Sequence, residues 1–237
     1  MTSRSVVIGL AAWAVMGAWG LGGVRQAHAD ANTVVVQLSA ESPFRGLPAV
    51  SSDGAFVALP GRVEATGDCF GDVLTVSIVP VGPGKPQVFT IADGCHADKR
   101  YSERKALEAS LPEVNDTLAA LRFEAAKLQR PPEGLGLPVT FGVDELKVTV
   151  GGKKNKLDVA AKLGKKTLGK KSATTKLKAK SGAVIGAILV RAAKPMAYVQ
   201  IEWYVPGPER NQYVSEWVTV PLKGLPALPP SKNGDGR

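Results

Sequence analysis

From Leu146 to Leu163 the chain alternates apolar and polar residues twice, and this period of two restricts its folding more than any other feature. Leu146, Val148 and Val150 alternate, Gly151 to Asn155 supplies a turn, and Leu157, Val159, Ala161 and Leu163 alternate again. Successive side chains of a strand point to opposite faces, so the pattern predicts an antiparallel hairpin with one face on a core. Lys147, Lys156 and Lys162 fall at intervening positions. The other face is then basic and solvated, and its charge discourages pairing with other chains.

Strand signals recur on both sides of this hairpin. Thr33 to Leu38 is a short β-branched run, and Ala49-Val50 and Ala55 to Leu59 flank Ser51-Ser52-Asp53-Gly54, where Asp-Gly predicts a tight turn. Val73 to Pro80 and Pro86 to Ile91, joined by Val81-Gly82-Pro83-Gly84-Lys85, read as a second hairpin. Pairing symmetric about Gly82 sets Leu74 against Thr90, Val76 against Val88 and Ile78 against Pro86. Ala183 to Arg191, Met196 to Val205 and Tyr213 to Val220 predict a three-stranded meander.

Residues 97–129 change period. Leu107, Leu111, Val114, Leu118, Leu121, Ala125 and Leu128 recur at spacings of four and three, one apolar stripe of a helix. Pro112 interrupts the stripe, and Ser110 with Glu113 forms an S-x-x-E capping box around it. Two helices are expected, about 97–109 and 111–129, or one kinked at Pro112, ending before Pro131-Pro132. The fold class is α+β, mainly antiparallel, with a helical pair (97–132) inserted between β regions at 30–96 and 133–225. Residues 226–237, rich in Pro, Gly and polar types, are expected to be disordered.

Residues 1–29 read as a secretory signal peptide. Arg4 starts it, Val6 to Val24 carries no charge, and Ala27-His28-Ala29 places small residues where a signal peptidase needs them. The alternative is an uncleaved anchor, since Ser5 to Val24 is nearly long enough to span a bilayer. Cleavage after Ala29 leaves a secreted or periplasmic chain with no stable transmembrane segment. It also removes Arg4 and Arg25, leaving 28 basic residues against 21 acidic ones. The excess is local: residues 153–180 hold eleven lysines against the single acid Asp158, and the rest of the mature chain is slightly acidic.

The only cysteines are Cys69 and Cys95. In an oxidising compartment a lone pair reads first as a disulfide, and symmetry about Gly82 brings the two opposite each other at the base of the hairpin. A metal site from Cys69, Cys95 and His96 is the alternative, short of the three or four well-separated ligands such sites use.

The catalytic inventory is thin. With His28 cleaved, His96 is the one remaining histidine, and no G-x-S-x-G turn, dinucleotide fingerprint or phosphate-binding loop accompanies it. No catalytic residue, metal or cofactor is assigned. A carboxylate-dependent glycoside hydrolase would have to draw on a pair such as Glu202 and Glu216, both on meander strands. The first expectation is an exported, non-enzymatic binding or scaffold protein of the cell envelope, its partner an unidentified envelope or extracellular protein or glycan. Tyr198, Tyr204 and Tyr213 are its candidate partner surface, on the meander face opposite Trp203. The second is a polyanion binder using Lys153, Lys154, Lys156, Lys165, Lys166, Lys170 and Lys171.

Ser51-Ser52-Asp53-Gly54 followed by Ala55-Phe56-Val57-Ala58 resembles the S-x-D-G strand turn of WD-related periplasmic β-propeller repeats. Gly182 to Val220 is similar in outline to β-meanders of uncharacterised secreted bacterial β-rich proteins that pair such hairpins with a central helical segment. A propeller repeats a unit of about 40 residues several times, and one S-x-D-G copy is present here. The resemblance implies a binding or scaffold role and carries over no catalytic residue.

Intact mass and non-reducing peptide mapping of exported protein check the leader and the staple together. The chain should begin at Asp30, with Cys69 linked to Cys95. Retention of Met1, or two freely labelled thiols, would overturn the corresponding expectation.

Overall fold

A computed structural model describes residues 34–37, 44–64, 72–93, 102–133, 136–206 and 212–227. The expected leader, Cys69, Cys95, His96 and residues 228–237 of the tail lie outside the described residues.

Among the described residues the chain is mostly antiparallel β with a single helix. In chain order the elements are β1 (Val35–Val36), β2 (Phe44–Arg45), β3 (Ala49–Ser51), β4 (Phe56–Glu64), β5 (Asp72–Pro80) and β6 (Gln87–Asp93), then α1 (Ser102–Ala120). They continue with β7 (Phe123–Ala125), β8 (Val139–Val143), β9 (Leu146–Lys153), β10 (Lys156–Leu163), β11 (Lys166–Thr174), β12 (Ser181–Val190), β13 (Met196–Val205) and β14 (Gln212–Pro221).

The lysine-rich hairpin belongs to a four-stranded meander in the order β11-β10-β9-β8. The larger sheet runs β12-β13-β14-β4-β3-β7, with β5 and then β6 added on β4. Val57 pairs with both Val50 and Val79, and Val63 with both Val214 and Val73. Since β5 follows one edge of β4 throughout, β3 and β14 share the other. Beyond β7, Gln129 and Ala187 exchange two backbone hydrogen bonds of 2.9 and 2.8 Å. Backbone pairing therefore returns to β12, and strands from the two β regions form one ring.

Three apolar clusters result. The inner face of the small sheet, including Leu146, Val148, Leu157 and Val159, packs on Val199, Ile201, Trp203, Val218 and Val220 as a two-layer sandwich. Lys223 N–H donates to the Leu168 carbonyl at 2.9 Å, tying the chain after β14 to β11. Within the ring lie Val57, Leu59, Ile188, Val190 and Tyr198. On the far side of β4, Val114 and Leu118 of α1 cover Ala58, Val76, Ile78, Phe89 and Ile91. Each fully buried side chain of this kind stabilises by roughly 1.5–3 kcal/mol before entropy is counted.

Of the two arrangements the sequence left open, a helical pair and one helix through Pro112, the described residues show the single helix. Pro112 lies inside it, and Ser110 is not an N-cap: its hydroxyl donates to the Thr90 carbonyl at 2.9 Å, fastening α1 to β6. The apolar stripe continues past the true end of the helix. Leu121 N–H and Arg122 N–H close the last turn on Thr117 and Ala119, Arg122 has φ 49°, and Phe123 opens β7. Residues 123–125 pair instead with β3, through Ala49↔Ala125, Val50↔Glu124 and Ser51↔Phe123. Completing a sheet edge satisfies backbone groups and outweighs a weak helical preference. Asn115 performs a related task, bonding the Val36 carbonyl at 3.0 Å and the Val36 N–H at 2.9 Å, so that a helix side chain acts as a strand partner.

The β5–β6 hairpin forms in a different register from the symmetric one. Val76 faces Phe89, Ser77 faces Val88 and Ile78 faces Gln87, with a bulge between Leu74 and Thr75. A one-residue slip exchanges the faces of β6. Phe89 and Ile91 enter the core, whereas Val88 is 56% exposed. Burying Phe and Ile rather than Val and Thr removes more apolar surface from water.

Gly182 marks a close approach that the fold requires. It faces Trp203, and a Cβ there would lie 2.9 Å from the indole ring and 2.8 Å from Leu157. Gly182→Ala is expected to destabilise by about 1–3 kcal/mol through overpacking, read as a lower urea midpoint. An unchanged midpoint would show that Trp203 is not confined against β12.

Candidate functional site

The outer face of the four-stranded sheet follows from strand alternation. β9 and β10 bury Leu146, Val148, Val150, Leu157, Val159 and Ala161, so residues between them point outward. Lys153 lies directly opposite Lys156, and Lys147 directly opposite Lys162. Like charges facing each other across strands are destabilising. Among the described residues none of these lysines is ion-paired. The pairs sit at the two ends of the sheet, six residues apart along β10, or about 20 Å at the strand rise.

Between them the face is polar and low. Ala160 is flanked by Thr149 and Lys170, and Asp158 by Gly151 and Ser172. These residues line a depression of about 580 Å³. Ser172 Oγ donates to Asp158 Oδ1, and the hydroxyls of Thr140 and Thr149 are 2.9 Å apart. Asp158 is the one carboxylate of this face.

The seven lysines proposed from sequence do not form one patch. Lys153, Lys154 and Lys156 cluster at the β9–β10 turn, where Lys154 has φ 54°. Lys165 and Lys166 belong to the β10–β11 turn at the opposite end, and Lys170 faces outward beside Ala160. Lys171 pairs with the buried Val159, so it starts from the inward-facing side of the edge strand, although it is exposed. Lys147 and Lys162, outside that set, complete the face. Their signal was the alternation with Val148 and Ala161, not local lysine density.

The tyrosine surface is also divided. Tyr198 is 0% exposed and belongs to the ring interior, whereas Tyr213 is 42% exposed and Tyr204 is half-buried. The Tyr204 and Tyr213 rings lie 5.7 Å apart at 54°. Tyr198 is therefore a core residue: Ile188, Val190 and β4 cover the face that the sequence leaves open. Glu202 faces Ser215 and Glu216 faces Ile201, which puts the two carboxylates on opposite faces of the meander. They cannot flank one glycosidic bond. Glu216 instead accepts the Trp203 indole N–H at 2.8 Å.

No protein-family model, curated protein or solved structure matches the chain.

A second cleft, of about 570 Å³, opens beside the Ser51–Gly54 turn and the end of β12. Its polar groups largely close the fold. Asp53 Oδ1 accepts from Ser51 Oγ at 2.6 Å and from Ala55 N–H at 2.9 Å. Those bonds, the Ser51 bond foremost, hold the Asp53 carboxyl below its ordinary range. Arg191 pairs with Glu145 at 3.0 Å and donates to the Pro226 carbonyl at 3.2 Å, leaving its buried Nε without a partner. Among the described residues no three His, Cys, Asp or Glu side chains gather as a metal site.

Tyr198 generates a pH prediction. Its hydroxyl is buried without a hydrogen-bond partner, and burial pushes the phenol from 10.0 to about 12. A pKa raised by folding gives stability that is complete below pH 10 and is lost as pH rises toward 12. Tyr198→Phe removes both the unsatisfied hydroxyl and the titration. It should be as stable as wild type at neutral pH, or more stable by about 1 kcal/mol. In urea melts above pH 10, wild type should fall progressively below it; parallel decline of the two would refute the assignment.

Proposed function

We propose that this protein is an exported, non-enzymatic binding protein whose ligand is a polyanion held on the outer face of the lysine-rich sheet. The carrying observation is the pair of unneutralised cross-strand contacts, Lys153 with Lys156 and Lys147 with Lys162. A free sheet bears that repulsion at a cost, offset by the apolar face behind it. A bound polyanion turns the same repulsion into attraction and releases counterions. Export, drawn from the leader, places the face where envelope or extracellular polymers are met. The opposed faces of Glu202 and Glu216 speak against glycoside hydrolysis by that pair, and scaffolding through Tyr204 and Tyr213 is the second reading, supported by the exposed Tyr213.

Retention on immobilised heparin as a function of salt tests the proposal. Wild type should elute later than a variant with Lys147, Lys153, Lys156, Lys162 and Lys170 all changed to Gln, and its affinity should fall more steeply with salt because more charges act together. A control changing only Lys165 and Lys166 should retain most of the binding. Equal retention of wild type and the five-lysine variant, with both folded by circular dichroism, would overturn the polyanion reading and direct attention to Tyr204 and Tyr213.

A further inference from the structure

The geometry points to one class of polyanion. We infer, resting on the polyanion reading above, that the outer face takes an acidic polysaccharide whose charges are spaced by sugar rings, rather than a densely charged phosphate polymer.

Charge distribution is the first argument. The two lysine pairs stand about 20 Å apart, and the floor between them sets the carboxylate of Asp158 beside Lys170 and Lys171. Each strand of duplex nucleic acid presents a phosphate about every 3.4 Å of its axis, so a phosphate chain crossing the face cannot keep its charges away from Asp158. A polyuronate carries one carboxylate per sugar ring, so neutral, hydroxylated ring edges can meet Asp158 while the carboxylates of neighbouring rings meet Lys170 and the paired lysines.

The chemistry of the floor is the second argument. Asp158 Oδ1 is held by Ser172 Oγ, which orients the carboxylate and leaves its other oxygen to accept from a sugar hydroxyl. Thr149 contributes a hydroxyl, and Ala160 and Gly151 keep the centre low enough for an extended chain to lie flat. A single-stranded nucleic acid site would need aromatic rings on which bases stack. The outward positions of β8, β9, β10 and β11 are filled by Lys, Thr, Ser, Gly, Ala and Asp158, with no aromatic among them.

Asp158→Asn in the mature chain tests this, with polygalacturonate, inorganic polyphosphate, single-stranded DNA and anionic phospholipid vesicles as separate probes at one ionic strength. Wild type should prefer polygalacturonate over the other three. The substitution removes a charged acceptor and a repulsive charge together. Polygalacturonate affinity should therefore drop about tenfold, the scale of one charge-assisted hydrogen bond, while polyphosphate affinity rises. A merely structural role for Asp158 would move both in the same direction. Equal or tighter wild-type binding to polyphosphate, DNA or vesicles, or a same-direction shift, would overturn the glycan assignment and leave the polyanion reading standing. Binding of none of the probes, or no effect of the five-lysine substitution on any of them, would overturn both.

Discussion

Strand β13 buries one whole face and, at Tyr198, part of the other, and the rest of the architecture depends on that. Ala197, Val199, Ile201, Trp203 and Val205 enter the sandwich core, while Tyr198 enters the ring on the opposite side. A strand flanked by β12 and β14 has its backbone groups satisfied by neighbours. Its side chains then determine what covers each face. Trp203 makes the sandwich side the larger commitment: it needs Gly182 for space and Glu216 for its indole N–H. Trp217, on the other face, finds the Pro60 carbonyl at 2.8 Å, which secures β14 to β4 where the ring is joined by few backbone pairs.

That arrangement explains how the small sheet tolerates its charge. The inward residues of β8 to β11 are anchored on β12, β13 and β14, so the apolar face fixes the register whatever the outer face carries. Lysines that would loosen an isolated hairpin are instead held at set positions. The outer face is thus an array fixed by the strand register, with paired cations at two ends and a low centre where Asp158 and hydroxyls stand beside Lys170. Arrays on strands hold spacing better than charges on a mobile tail, and spacing is what distinguishes a polyuronate from a phosphate polymer.

The helix shows how local and long-range preferences compete. Val114 and Leu118 have helical spacing and are buried as that spacing requires. Leu121, Ala125 and Leu128 continue the spacing, yet Phe123 to Ala125 leave the helix to pair with β3, and Leu128 packs in the ring. No local signal distinguishes the two halves of the stripe, because the deciding partners, Ala49 to Ser51 and Ala187, lie far away in the chain. The β5–β6 register has the same origin. Its turn and apolar runs are local, but the choice between Val88 and Phe89 as the inward residue is made by Val76, Ile78 and the helix packed over them.

The amino-acid sequence alone determined where strands alternate, the tight turn at Ser51–Gly54, the inward direction of Trp203 and the outward direction of Lys147, Lys156 and Lys162. All of these follow from side-chain period and turn chemistry within a few residues. Only the tertiary structure decided that the N-terminal and C-terminal strands share one sheet, that Tyr198 is buried, that Glu202 and Glu216 face apart, and that the basic residues divide between two ends of a face. Those outcomes depend on which strand lies beside which and what packs over each face. Such contacts join residues distant in the chain, and neither composition nor local periodicity records them.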